Sequence, residues 1–246
     1  MKGKTHTLKI WGDLACFTRP EMKVERYSYP VITPSAARGI FDAIYFKKGY
    51  GFYWQIEQIE ILELPRYIAL RRNEVKDKAP SHTTIHQWMQ GKKPPQPLLA
   101  DGTKADFGGS DQKGRTQRQT MALKNVSYRI KAHMCYRDGK QNPAAMDAQF
   151  ERRAKRGQCF YQPFLGCREF PAWFELLSDS PEERNPVKLD IDLGWMLYDV
   201  FDLGQSNTNM AKPAISVFHA FVQQGTLAVD LTLLPAAFYP SWTGRA

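Results

Sequence analysis

The stretch "NPAAMDAQFERRAKRGQCFYQPFLGCREFPAWFELL", residues 142–177, decides the fold. Asn142 is a residue type that caps the free amides of a helix start, and Pro143 suits the first helical position, so a helix begins here. It stops at Gly157. Arg152, Arg153, Lys155 and Arg156 fill its last turns, where cations complement the negative end of the helix dipole. "FPAWFELL" (170–177) then reads as a strand.

Working outward, "NVSYRIKAHMCY" (125–136) alternates Val126, Tyr128, Ile130, Ala132 and Met134 with polar residues, the pattern of a strand with one buried face. "LKIWGDLACF" (8–17) alternates more loosely and reads as the first strand. In "TPSAARGIFDAIYF" (33–46), Thr33 caps a helix, Pro34 enters it, and Ala37, Ile40, Phe41 and Ile44 form one apolar face. "FYWQIEQIEILEL" (52–64) follows as a strand whose alternation breaks at Gln58. The order is strand, helix, strand, strand, helix, strand, which predicts an α+β, ferredoxin-like domain of the kind in which a four-stranded sheet meets RNA. Its expected span is 1–178, with a long basic insertion at about 76–118 that includes "GKKPPQP" and "DFGGSDQKGR" and lacks helical periodicity. Past the polar linker "SDSPEERNP", the segments "LDIDLGWMLYDVFD", "AISVFHAFVQ" and "TLAVDLTLL" predict a small antiparallel β-subdomain over 187–246.

Charge divides along the same line. Residues 1–170 hold 30 Lys and Arg against 16 Asp and Glu, a net of +14, while residues 171–246 hold 4 against 9, a net of −5. Only the first part is suited to a polyanion, because each phosphate neutralised by a cation releases condensed counterions. No run approaches the roughly 18 apolar residues of a membrane span, and "MKGKTHTLKIWGD" has no apolar core of a secretory signal, so a cytoplasmic protein without a membrane partner is expected. Cys16, Cys135, Cys159 and Cys167 show no CxxC spacing and are expected as buried free thiols.

His82 and His86 in "HTTIH" have the spacing of two ligands on one helix face, yet no third ligand is evident, and neither a metal nor a cofactor is expected. His133 is expected to be a satisfied sheet histidine. No phosphate-binding glycine loop and no nucleophile elbow occurs. What remains is Tyr45 at a helix end, together with Arg38, Arg71, Arg72, Arg115, Arg118, Arg152, Arg153, Lys155 and Arg156. Aromatic rings stack bases and guanidinium groups hold phosphates, so these residues are the candidate RNA contacts.

The strings "WGDLACFTRPEMKVERYSYPVITPSAARGIFDAIYF", "LRRNEV" and "RRAKRGQCFYQPFLGCREFPAWFELL" resemble the CRISPR-associated Cas five family, in its subtype I-C variant, a RAMP-type subunit of the Cascade surveillance complex. The resemblance runs from residue 8 to about 200. It implies binding of the CRISPR RNA repeat hairpin, metal-independent cutting at the base of the stem, retention on the 5′ handle, and backbone and large Cascade subunits as partners. It also implies catalysis by a tyrosine at the end of the first helix and a Lys-His pair at the start of the second.

Tyr45 matches the tyrosine. Two registers are open for the pair: one places Met146 and Asp147 there, the other Lys140 and Gln141. Neither supplies a histidine, the side chain that titrates near pH 6.5 and can move protons at neutral pH, whereas an unperturbed tyrosine titrates near 10. Lys140 or Lys155 can supply charge to the phosphorane. Three functions stay open: a repeat endoribonuclease using Tyr45 and Lys140, a non-catalytic subunit that caps the 5′ end of the guide RNA, and, apart from the resemblance, a general RNA-binding module.

Overall fold

The computed structural model describes residues 2–46, 51–75, 78–96, 115–136, 142–177, 185–201, 203 and 215–229. Two compact units divide the chain, one of Met1–Ile68 with Met121–Ala246 and one of Ala69–Thr120. The described residues form an α+β structure, a mostly antiparallel sheet with three α-helices among them.

In the larger unit, β1 (Lys2–Ala15), β3 (Phe52–Ile61), β5 (Arg115–Tyr136) and β6 (Trp173–Leu177) lie in the order β6-β1-β5-β3, and β9 (Thr226–Ala228), β8 (Ser216–Gln223) and β7 (Ile191–Asp199) continue the sheet beyond β3. The short β2 (Arg26–Tyr27) pairs with β5. Helix α1 (Pro34–Ile44) packs on β3 and β7, α3 (Pro143–Lys155) packs on β1 and β6, and the two helices touch. Val126, Tyr128, Ile130, Ala132 and Met134 are all buried, as their alternation requires.

Local chemistry explains the boundaries. Thr33 Oγ1 accepts from Ala36 N–H (3.3 Å) at the start of α1, and Asn142 Oδ1 accepts from Ala145 N–H (3.2 Å) at the start of α3. Gly157 (φ +63°) follows α3 in the left-handed region, and Gln158 N–H donates back to Arg153 O (2.9 Å). The break at Gln58 is a bulge, since Ile56 pairs with Ala132 and Gln58 with Lys131, leaving Glu57 as the extra residue. The core between sheet and helices is aromatic: Trp54 sits 4.6 Å from Phe150 and 4.9 Å from Phe41, ring centre to ring centre.

The smaller unit carries most of β4 (Tyr67–Val75), α2 (His82–Met89) and the first residues of β5. Helix α2 was not expected. Ser81 Oγ accepts from Thr84 N–H (3.2 Å), and the helix buries none of its residues, so it carries no apolar stripe from which periodicity is read. Strand β4 is hidden for a similar reason, because its alternation is between exposed and half-buried positions. All four cysteines are free, Cys16 buried and the other three half-buried.

Candidate functional site

Tyr45 follows α1 directly, in extended conformation (φ −147°, ψ 108°), where its amide donates to Phe41 O (2.9 Å). A helix end leaves carbonyls without intrahelical partners. Here they are taken by named donors: Phe160 N–H bonds Ala43 O (2.7 Å), Arg153 Nε bonds Ile44 O (2.6 Å), and Trp54 Nε1 bonds the carbonyl of Tyr45 itself (2.9 Å). The Tyr45 ring is stacked on Phe52 at 5.8 Å, and Phe52 lies 6.2 Å from Tyr136, its partner across β3 and β5. This aromatic row joins the end of α1 to the start of α3, where Tyr136 Oη donates to Pro143 O (3.5 Å). Burial, then the Asp147 charge and Tyr45, raise the Tyr136 phenol well above its ordinary range, so Tyr136 is protonated at neutral pH.

Met146 and Asp147, one of the two registers for the family's Lys-His pair, are both buried on α3. A histidine does meet that position, but from β1. His6 Nε2 donates to Asp147 Oδ1 (2.9 Å), Lys4 N–H donates to Asp147 Oδ2 (3.2 Å), and His6 Nδ1 lies 3.7 Å from Glu151. The His6 ring packs on Phe150 (4.7 Å) and Trp54 (5.9 Å). Lys4, His6, Glu151 and Lys155 line a cleft of about 250 Å³, and Lys4 Nζ bonds Glu151 at 2.7 Å, which holds the Glu151 carboxyl below its ordinary range. His6 was missed because its partner is 141 residues away. The only signal was its parity with Leu8 and Ile10. Lys140 and Gln141, the other register, lie outside the described residues.

The candidate cations separate into different environments. Arg38 bonds Asp199 through Nε (2.7 Å) and Nη2 (3.2 Å) and Asp42 through Nη1 (2.6 Å), with only 18% of its side chain exposed. Burial lowers its tendency to stay charged, but Asp199 and Asp42 more than offset this, and its pKa is raised. Arg153 is half-buried, its guanidinium 4.1 Å above the Phe160 ring. Arg152, Lys155 and Arg156 are exposed at the end of α3, with Arg152 bonded to Gln149. Arg71 is exposed on β4, while Arg72 and Arg118 flank Glu74 at 3.8 and 3.3 Å. These three belong to the smaller unit, as does Arg115 at the start of β5, whose side chain lies outside the described set. Tyr45 and Arg153 are thus brought together.

His133 is nearly buried, its Nδ1 2.8 Å from Glu57 Oε1 without the alignment of a hydrogen bond, and burial depresses its pKa. His82 and His86 both lie on α2, and among the described residues no group of three or more His, Cys, Asp or Glu could hold a metal ion. No helix among them is long and apolar enough to cross a membrane.

Comparison with known proteins identifies the family. A family model described as CRISPR-associated protein (Cas_Cas5), the Cas5d model, matches residues 6–230. A Mannheimia succiniciproducens protein named CRISPR pre-crRNA endoribonuclease Cas5d is 43% identical over 208 residues, covering 82% of this chain and 86% of its own. A Thermus thermophilus protein of the same name is 38% identical over 235 residues, covering 90% of each. Among solved structures, a CRISPR-associated protein superposes with a TM-score of 0.61 at 21% identity, covering 94% of this chain and 93% of its own. A functionally uncharacterized Streptococcus mutans protein gives 0.59 at 20% identity, covering 94% of each. With a family model spanning nearly its whole length and two relatives this similar, the chain belongs to the Cas5d family of CRISPR-associated proteins.

Proposed function

We propose that this chain is a CRISPR RNA-binding subunit of a type I-C Cascade complex and a metal-independent endoribonuclease that cuts precursor CRISPR RNA at the repeat hairpin and stays on the 5′ handle. The observation that carries this reading is the 43% and 38% identity with two proteins named pre-crRNA endoribonucleases, over most of every chain. Support from geometry comes from Tyr45, 7% exposed at the end of α1 and held between two anchored carbonyls, one of them bonded by Arg153 from the last turn of α3.

In this reading the RNA's 2′-hydroxyl attacks the adjacent phosphorus, the phosphorane forms, and the 5′-oxygen leaves with a proton, giving a 2′,3′-cyclic phosphate and a 5′-hydroxyl. Tyr45 contacts the reacting groups, Lys140 supplies positive charge to the phosphorane, and Arg71, Arg72, Arg115, Arg118, Arg152, Lys155 and Arg156 hold the backbone. Arg38 is left out of this set because its three bonds go to the carboxylates of Asp199 and Asp42. We further read the β6-β1-β5-β3 core as ferredoxin-like within a 1–178 domain, the acidic 187–246 segment as a small subdomain whose strands extend that sheet and which faces other Cascade subunits, and the cytoplasm as the site of action.

One observation favours a second reading. Met146 and Asp147 are buried and offer neither a free cation nor a histidine, which suits a non-catalytic subunit that caps the 5′ end of the guide RNA. The test is incubation of the purified protein with its cognate repeat RNA in EDTA. One cut at the base of the stem with a cyclic-phosphate end is expected. Tight binding with intact RNA from pH 6 to pH 9 would establish the capping role instead.

A further inference from the structure

We propose that Arg153 is a positioning residue that fixes Tyr45 for cleavage, rather than a phosphate contact. The inference rests on the reading of Tyr45 given above. Two peptide planes flank the Tyr45 Cα, one carrying the Ile44 carbonyl and the other the Tyr45 carbonyl. The first is held by Arg153 Nε (2.6 Å) and the second by Trp54 Nε1 (2.9 Å). With both planes anchored, φ and ψ of Tyr45 are set at −147° and 108°, which fixes its Cα–Cβ direction, and stacking on Phe52 at 5.8 Å holds the ring. A cation is well suited to the first anchor, because the end of α1 presents the negative pole of its dipole.

Arg153 is itself oriented. Its guanidinium lies 4.1 Å over the ring of Phe160, and the Phe160 amide bonds Ala43 O (2.7 Å), one carbonyl earlier on the same helix end. The planar guanidinium, with its Nε committed to a carbonyl and a face covered by a ring, makes a clamp that lysine cannot reproduce. Arg152, its neighbour, is exposed, with its guanidinium bonded to Gln149 of its own helix.

The experiment compares Arg153→Ala, Arg153→Lys and Arg152→Ala with wild type, measuring single-turnover cleavage of repeat RNA in EDTA, Kd, and its salt dependence. Arg153→Ala and Arg153→Lys are expected to slow cleavage by about 10- to 100-fold at saturating protein, since misplacement of a reacting group by about 1 Å costs on that order. Their Kd and salt slope stay at wild-type values. Arg152→Ala should instead weaken binding and lower the slope by about one. On a Tyr45→Phe background, Arg153→Ala should add nothing.

A lowered slope for Arg153→Ala, or an additive loss on that background, overturns the proposal. Amide exchange supplies a readout that needs no RNA: Arg153→Ala should speed exchange of the Tyr45 amide at least about tenfold at unchanged global stability. If the wild type fails to cut, the functional reading falls while exchange still decides the clamp. An unchanged Tyr45 amide removes the clamp, even where cleavage by the wild type is confirmed.

Discussion

Replacing Arg38 with alanine separates a structural cation from an RNA contact. Asp199 is 1% exposed, and Arg38 gives it two of its hydrogen bonds, at 2.7 and 3.2 Å. After Arg38→Ala the carboxylate keeps the amides of Val200 (2.8 Å) and Phe201 (3.1 Å) but loses its counter-charge. Removing one partner of a buried ion pair costs about 3–5 kcal/mol, because the other charge is left uncompensated. That is a large part of a typical domain's stability of about 5–15 kcal/mol. At a denaturant slope of roughly 2–3 kcal/mol per M, the urea midpoint should fall by about 1–2.5 M. Removing the pair together, as Arg38→Met with Asp199→Leu, should cost clearly less than Arg38→Ala alone. Repeat-RNA binding measured well below the midpoint should keep its salt slope. An unchanged urea midpoint with a slope lowered by about one would make Arg38 a phosphate ligand and not a structural cation.

Further outcomes concern two carboxylates and two glycines. Burial raises Asp42 to about 6, against the opposing pull of Arg38, so its folded pKa lies above the unfolded value of 3.8. The stability this gives is full below pH 3.8 and lost as pH rises through about 6; Asp42→Asn should therefore gain about 2–3 kcal/mol relative to wild type between pH 4 and pH 7 by urea titration, and a parallel pair of curves would contradict it. Asp147→Ala leaves His6 Nε2 and Lys4 N–H without their acceptor and should cost about 2–4 kcal/mol, while Met146→Lys with Asp147→His, which restores the family's residue types, should destabilise for the same reason and not raise cleavage. Gly166 has φ +85°, and an added Cβ would lie 2.1 Å from Cys16 O, so Gly166→Ala should lower the thermal midpoint by several degrees or abolish folding, whereas Gly157→Ala meets no atom within 4 Å and pays only for its φ.

How much was legible in the sequence depended on whether the signal was local. The caps at Thr33 and Asn142 and the stop at Gly157 act within a few residues, and all three lie where the sequence places them. Alternation from Val126 to Met134 marked β5, and the irregular step at Gln58 marked the bulge in β3. Helix α2 and strand β4 escaped because burial writes the periodic pattern, and neither buries a face. Long-range pairing escaped for a different reason. His6 with Asp147, Arg38 with Asp199 and Arg153 with Ile44 are separated by 141, 161 and 109 residues. In composition, Arg38 and Arg153 are indistinguishable from the exposed Arg152 and Arg156. Only folding shows that the first two are spent on a buried carboxylate and on a helix end.

Whether Tyr45 carries the proposed cut is decided by single-turnover cleavage of cognate repeat RNA by Tyr45→Phe in EDTA, alongside its Kd. The phenylalanine keeps the ring that stacks on Phe52 and leaves intact the carbonyl that accepts from Trp54, removing only the hydroxyl. Wild-type affinity is expected, with cleavage reduced by at least about 100-fold, the scale of a lost proton-transfer group. Cleavage at the wild-type rate by Tyr45→Phe would contradict that role.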